Sequence, residues 1–200
     1  MKKYKLTTQN LTTHNDCQWE IGVQKKTTGE GGLCGQGYLH YYDTPLLAVL
    51  LNIIHANIDN PRLWEAECEG QHLDDHGLKG GCTKQTLIKE IPLPEVTMNQ
   101  RIAFAILCAK EVCQNETWNA WADKWLSGRD RSEKAAAKAM NEAYSAWAAA
   151  AWFAARAAVD SCSATAWAAK TAEWSACSAA KADELKPINL TELAEECIKY

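Results

Sequence analysis

The chain has 200 residues, a mass of 22.2 kDa and a formal net charge of −4, with an isoelectric point of about 5.8. A chain of this size forms one domain, or one small domain with an appendage, and its mildly acidic balance argues against a nucleic-acid partner. No uncharged apolar stretch is long enough to span a membrane, and the lysine-rich start leads into polar residues instead of a signal peptide's apolar core. The sequence therefore predicts a cytoplasmic protein that binds neither nucleic acid nor a membrane.

The first half of the chain alternates between strand-like and loop-like segments. Residues 1–96 are predicted to form an α+β domain with a small, mostly antiparallel sheet and one packed helix. Asp43 or Thr44 is suited to cap a helix over residues 46–57, with Pro45 in its first turn. Alternating β-branched and aromatic residues predict strands at 4–8, 19–24, 38–42, 62–69 and 86–91.

The second half is predicted to be helical throughout because alanine, the residue with the highest helix propensity, dominates it. Thr97 and Asn115 are suited to cap its first two helices, and Asn189 with Glu192 resembles a capping box before the last one. The predicted helices cover about 98–114, 116–126, 129–160, 162–185 and 190–199.

The alanine-rich run from about residue 129 to residue 185 is too long to stand alone. As a single helix it would extend roughly 85 Å at about 1.5 Å per residue. It either folds back as a hairpin near residues 160–163, where short polar side chains compete for backbone hydrogen bonds, or packs in an oligomer. The chain has nine tryptophans against two phenylalanines, and large tryptophan side chains supply the apolar area that alanine lacks.

Nine cysteines occur without a CxxC pair. An odd, scattered set in a chain with no predicted export signal indicates reduced thiols, most of them buried as small apolar side chains.

One candidate binding surface is the segment 37–42. On a strand, the side chains of Tyr38, His40 and Tyr42 share one face, which would offer aromatic stacking beside an imidazole donor. The alternative is an ordinary half-buried strand whose polar tips are satisfied within the fold.

Three other segments carry weaker signals. Residues 72–76 contain two histidines and two aspartates, yet the following glycine favours a loop over a metal site. The alternation in residues 64–69 places three glutamates on one strand face, which is typical of a solvated surface. Lys79 lies among glycines in a turn whose amide groups are suited to bind an anion. We predict no catalytic residue, no cofactor and no metal ion.

The order of elements over residues 37–91 resembles the middle of ADP-ribosyltransferase-like domains: the strand 37–42, a helix, a strand ending at Gly70, a glycine and lysine loop, and another strand. The resemblance implies a pocket for ADP-ribose or a nucleotide. An early-strand histidine and a late catalytic glutamate belong to that pattern, but His14 lies in a polar turn and no such glutamate can be assigned. The resemblance therefore favours a pocket over a working transferase.

A small α/β domain followed by an alanine- and tryptophan-rich helical region also resembles uncharacterised bacteriophage and prophage proteins, which implies the host cytoplasm as its location. The leading hypothesis is non-catalytic binding or sequestration of a small nucleotide-type ligand, such as a host immune signal in counter-defence. The alternatives are a protein-interaction module that acts through the helical region and an ADP-ribosyltransferase-like enzyme. A homo-oligomer formed through the helical region is also predicted. The predicted ligand-binding residues are Tyr38, His40, Tyr42, Arg62 and Lys79.

Overall fold

The structure, a computed structural model, describes residues 1–145, 148–161, 165–182 and 187–200. The chain divides into two compact units, Met1–Glu95 and Val96–Tyr200, called here the N-terminal unit and the C-terminal unit. The first contains an antiparallel sheet and the second is helical, which confirms the predicted α+β class. None of the described helices is both long and apolar enough to cross a membrane.

The N-terminal unit is organised around a long hairpin. Its strands are β1 (Lys2–Thr7), β2 (Thr12–Thr13), β3 (Cys17–Gln18), β4 (Lys25–Lys26), β5 (Leu39–Tyr41), β6 (Arg62–Asp74) and β7 (Gly80–Ile91). The main sheet has the order β1-β6-β7-β4, with β5 also pairing with β7, while β2 and β3 form a separate ribbon. All the strand pairs are antiparallel.

The period-two pattern in β6 determines which of its side chains enter the core. Trp64, Ala66 and Cys68 are buried, whereas the intervening glutamates are half-buried or exposed, as the alternation predicts. Trp64 also donates its indole Nε1–H to the Thr7 hydroxyl on β1 at 3.0 Å. The buried face of the hairpin thereby fixes the register of β1 against β6.

The predicted strand at 19–24 is absent, and short strands flank that segment instead. Gly22 has a φ of +79°, which an extended strand does not accommodate, and Ile21 forms only an isolated bridge to Leu87. Trp19 is nevertheless buried and donates its indole N–H to the Thr13 hydroxyl at 3.0 Å. The strand-like composition of residues 19–24 therefore reflects burial of one large side chain, Trp19.

The predicted helix at 46–57 is shorter than expected. Helix α1 (Pro45–Leu50) begins at Thr44, whose hydroxyl accepts a hydrogen bond from the Leu47 amide at 3.1 Å. A π-helical turn (Asn52–Ala56) continues the chain and ends at Asn57, which adopts a left-handed conformation. The side chain of Asn52 contributes to this ending because it bonds both backbone groups of Ile58.

Two glycines at the start of β7 allow β5 to lie close across the sheet. A Cβ atom at Gly80 would come within 2.3 Å of the Tyr41 ring, and one at Gly81 within 2.9 Å of the Tyr38 Cβ. His40 pairs with Gly81 in the ladder. The glycines therefore determine how close the segment 38–42 approaches the sheet.

The C-terminal unit contains helices α2 (Met98–Val112), α3 (Glu116–Leu126), α4 (Glu133–Ser145), α5 (Ala149–Asp160), α6 (Thr165–Ala180) and α7 (Leu190–Cys197). Thr97 and Gln100 form a capping box at the start of α2. The side chains of Asn115 and Asn189 accept amide hydrogen bonds at the starts of α3 and α7. The helix caps predicted at Thr97, Asn115 and Asn189 are therefore present.

Two boundaries of the long alanine-rich run differ from the prediction of one helix over 129–160. Helix α4 begins only at residue 133, because Asp130 bonds the amide and hydroxyl of Ser132 and that hydroxyl in turn accepts from the Ala135 amide. The predicted helix is also divided, since Ala148 has non-helical dihedral angles and α5 starts after it. Residues 146–147, with Trp147 among them, lie outside the described residues.

Helices α5 and α6 fold back on each other as an antiparallel pair. The Ser175 hydroxyl lies 2.8 Å from the Ala150 carbonyl oxygen, and the rings of Phe153 and Trp174 are 5.5 Å apart. Small alanine side chains permit this close approach of the two backbones. The hairpin predicted for the alanine-rich run is therefore present. Part of its predicted turn, Cys162 and Ser163, lies outside the described residues.

Candidate functional site

A cavity of about 490 Å³ opens in the N-terminal unit beside β1 and β5. A cavity of this size accommodates a small-molecule ligand. The described residues that line it are Lys5, Leu6, Thr13, His14, Asn15, Cys17, Trp19, Thr27, Cys34, Gly35, Gln36, Tyr38, Leu39, His40, Tyr42, His55, Ala56, Ile58 and Lys79.

The described residues of this lining include basic side chains but no acidic ones. Two lysines and three histidines contribute to it, while none of the described lining residues is aspartate or glutamate. In a chain with net charge −4, such a concentration of basic groups is a local property. The cavity is therefore suited to an anion, because basic groups in a concave, partly dehydrated surface attract negative charge more strongly than they do in open water.

Lys5 is the more deeply buried of the two lysines, with 6% of its surface exposed. Its Nζ donates to the His40 carbonyl oxygen at 2.7 Å and lies 4.5 Å from the centre of the Trp19 ring. No carboxylate forms an ion pair with it in the described part of the chain. Burial lowers the pKa of Lys5 to about 8, because the charged ammonium loses its hydration.

His40 anchors a loop at the cavity wall. Its Nε2 lies 2.5 Å from the Leu33 carbonyl oxygen, so that nitrogen carries the proton and donates. Burial lowers the pKa of His40 below its usual value, which favours the neutral ring at pH 7. The imidazole predicted to donate to a ligand therefore uses its Nε2 within the fold.

The two predicted tyrosines also have hydroxyl partners within the N-terminal unit. The Tyr38 hydroxyl donates to the Gly29 carbonyl oxygen at 3.0 Å, and the Tyr42 hydroxyl donates to the Leu51 carbonyl oxygen at 3.4 Å. Both residues line the cavity. Their contribution to a ligand is consequently the ring surface, which the hydroxyl contacts hold in place.

Lys79 is placed by the turn between β6 and β7. The Asp75 amide donates to the Lys79 carbonyl oxygen at 2.9 Å, and the Gly77 amide donates to the Asp74 carboxylate at 2.8 Å. The Lys79 side chain reaches across to the exposed Cys34 thiol, with 3.4 Å between Nζ and Sγ. Lys79 therefore lines the same cavity as the segment 38–42, although the two are far apart in sequence.

Arg62, the fifth predicted residue, lies outside the cavity. Its Nε and Nη2 atoms donate to both carboxylate oxygens of Glu90 at 2.9 and 2.6 Å, and its guanidinium stacks on Trp64 at 4.7 Å. The same pairing raises the pKa of Arg62. We leave Arg62 out of the candidate site because Glu90 on the neighbouring strand already accepts hydrogen bonds from its guanidinium.

Among the basic and aromatic residues of the lining, sequence reasoning missed four: Lys5, His14, Trp19 and His55. Lys5 stands in a lysine-rich start that reads as a solvated strand end. Its neighbours give no signal of burial, because Tyr4 and Leu6 share one strand face and alternation places Lys5 on the other. No local pattern indicates that His14 and His55 meet at one cavity.

The segment 72–76 is placed in the β6–β7 hairpin. His72 lies on β6 and packs edge-on to Tyr41, with ring centres 6.0 Å apart. Across the described residues, no cluster of three or more histidine, cysteine or acidic side chains is arranged to hold a metal ion.

Residues 1–99 match the model of a protein family described as a domain of unknown function (DUF7666). The matched range contains the whole N-terminal unit and every residue that lines the cavity. No curated protein and no solved structure matches the chain.

Proposed function

We propose that the cavity of the N-terminal unit binds a small, anionic, nucleotide-type ligand. The observation that carries this proposal is the lining itself, in which lysines and histidines lie beside the rings of Trp19, Tyr38 and Tyr42 with no described carboxylate. Cations are suited to phosphate oxygens, and aromatic rings are suited to stack on a base. A binder with these groups is suited to sequester a signal nucleotide, which requires affinity without turnover.

The burial of Lys5 strengthens this proposal. A buried ammonium without a carboxylate partner is costly, and the fold compensates it only with one carbonyl oxygen and an aromatic face. A phosphate in the cavity would supply the missing negative charge. The ligand's binding energy would then include relief of a cost already present in the free protein.

The lining favours binding over transfer of ADP-ribose. General acid–base chemistry at a ribose requires a carboxylate near the reacting bond, and the described lining residues offer none. We therefore propose a binding protein and not a transferase for this cavity.

The test is a thermal-shift and calorimetry panel of AMP, NAD, ADP-ribose, cyclic di-AMP, adenosine and inorganic phosphate. A ligand at about 100 times its Kd stabilises the folded state by about 2.7 kcal/mol. We expect at least one nucleotide to bind, with an affinity that falls as salt rises. A response to phosphate alone would contradict the nucleotide class, and no response to any anion would contradict the proposal.

In the same assay, Lys5→Met and Lys79→Met are expected to weaken binding of the responding nucleotide by roughly 10- to 100-fold each, the cost of a charged hydrogen bond. The matched control is Arg62→Met, which removes a cation that pairs with Glu90 outside the cavity. Equal losses of affinity in all three variants would mean that the overall charge of the protein, and not the cavity, determines binding.

The C-terminal unit supports a second candidate function, association through its helices. Tyr144 is 74% exposed and Trp167 is 44% exposed, and an apolar hollow of about 320 Å³ lies beside Tyr144 and Trp152. Large exposed aromatic side chains are typical of interaction surfaces. We propose a second copy of this chain as the partner.

Light scattering on the purified chain tests this association. We expect a mass near twice 22.2 kDa for the wild type, and a return to 22.2 kDa for Trp167→Glu, which places a charge in the contact. Glu195→Gln, a change at an exposed position on α7, is the control. A wild-type mass of 22.2 kDa would contradict association.

A further inference from the structure

A second lysine, Lys25, lies near the same aromatic ring as Lys5. The Nζ atoms of Lys5 and Lys25 lie 4.5 and 5.5 Å from the centre of the same Trp19 ring. Burial disfavours the charged form of Lys5, and the nearby charge of Lys25 adds a smaller effect in the same direction. Arrangements of this kind activate lysine amines as nucleophiles in proteins.

Hydrogen bonding leaves the amine able to react. The amine donates one N–H to the His40 carbonyl oxygen, a hydrogen bond that a neutral amine also forms, although more weakly than an ammonium. The nitrogen lone pair of the neutral form has no donor directed at it among the described residues. Lys5, His40 and Trp19 all line the cavity, so this amine lies where a ligand would bind.

We propose that the Lys5 amine forms a reversible imine with a phosphorylated aldehyde or ketone whose phosphate lies at Lys79, on the same cavity, so that no counter-charge reaches Lys5. This proposal rests on the anion-binding function proposed above. The nitrogen lone pair adds to the carbonyl carbon and forms the C–N bond. The two protons lost from nitrogen leave with the carbonyl oxygen as water. The step consumes no oxidant or reductant, and water reverses it.

Selectivity for Lys5 follows from its protonation state. With its pKa of about 8, roughly 10% of Lys5 is neutral at pH 7, against about 0.03% for a lysine at 10.5. The neutral fraction is therefore about 300-fold larger than that of an ordinary surface lysine. Labelling by a carbonyl reagent should concentrate on this one side chain.

The experiment uses two probes of matched shape. Pyridoxal 5′-phosphate carries an aldehyde, whereas pyridoxine 5′-phosphate carries an alcohol at that position and forms no imine. The full-length protein is treated with the aldehyde at neutral pH, reduced with borohydride and mapped by peptide mass spectrometry. We expect Lys5 to be labelled at least about tenfold more than Lys25 or Lys79, and pyridoxine 5′-phosphate to compete.

Variants separate reaction from binding. Lys5→Arg keeps the charge but removes the amine, and Lys5→Met removes both; each should lose the label, while Lys25→Arg should keep it. Labelling of Lys5 no greater than that of surface lysines would overturn the inference. If pyridoxine 5′-phosphate binds and Lys5 stays unlabelled, the imine is wrong and anion binding stands. If Lys5 is labelled without competition, the amine is reactive and the anion site is wrong.

Discussion

Replacing Trp118 with alanine is expected to lower the unfolding free energy of the C-terminal unit by about 3–5 kcal/mol, the usual cost of truncating a buried tryptophan. Trp118 is 0% exposed and donates its indole N–H to the Ala151 carbonyl oxygen at 3.0 Å, which links α3 to α5. Its ring also packs on Trp121, with centres 5.5 Å apart. Alanine neighbours have no long side chain that could fill the resulting cavity.

Urea unfolding followed by far-UV circular dichroism measures this change, because six of the seven described α-helices belong to the C-terminal unit. The control is Ile198→Ala, which shortens a side chain that is 39% exposed just after α7. We expect it to cost no more than about 0.5 kcal/mol, the usual effect of a surface substitution. Similar losses in both variants would mean that Trp118 is not the principal apolar anchor.

The sequence specifies the helical unit well because its signals are local. Alanine propensity and the caps at Thr97, Asn115 and Asn189 act within one or two turns, and all three caps are present. The end of α4 is different, since Ala148 leaves the helix although alanine has the highest helix propensity and its stretch is alanine-rich. Tertiary packing decides such a break, and propensity cannot indicate it.

Strand prediction in the N-terminal unit succeeded where burial alternates and failed where one residue dominates. Trp64, Ala66 and Cys68 alternate inward along β6, as the sequence indicates. Trp19 made its surroundings resemble a strand, although a single buried indole explains them. A period-two pattern predicts a strand only when several alternating side chains are buried.

The residues that line the cavity show what local sequence patterns cannot predict. Four of the five residues predicted to bind a ligand line it, because aromatic and cationic side chains around segment 38–42 and the Lys79 turn converge through strand pairing. Lys5 converges on the same place through pairing of β1 with β6, which no local pattern encodes. Arg62 does not line the cavity, and its partner Glu90 is likewise set by long-range pairing, the register of β6 and β7.

Lys5→Met is expected to change how stability depends on pH. The pKa of Lys5 is about 8 in the folded protein and 10.5 in the unfolded chain, so between these values the unfolded state binds more protons. Wild-type stability therefore rises with pH across this window, and below about pH 8 the buried charge costs about 3 kcal/mol. Methionine keeps the unbranched chain without the charge, so the variant lacks this rise.

The measurable quantity is the unfolding free energy of Lys5→Met minus that of the wild type, followed by tryptophan fluorescence in urea. We expect this difference to fall by about 2–3 kcal/mol between about pH 7 and about pH 10. Subtraction cancels the titration of groups that both proteins share. A flat difference would mean that Lys5 keeps an ordinary pKa in the folded protein.

Lys25→Met is the matched control, because it removes a less buried lysine at the same Trp19 ring and leaves the buried Lys5 amine in place, so the rise of stability with pH should remain. A bound anion supplies the counter-charge that Lys5 lacks and raises its pKa toward 10.5. The ligand that binds in the nucleotide panel should therefore reduce the pH-dependent difference. If it binds without reducing the difference, its phosphate lies away from Lys5, and Lys79 is then the principal cation of the site.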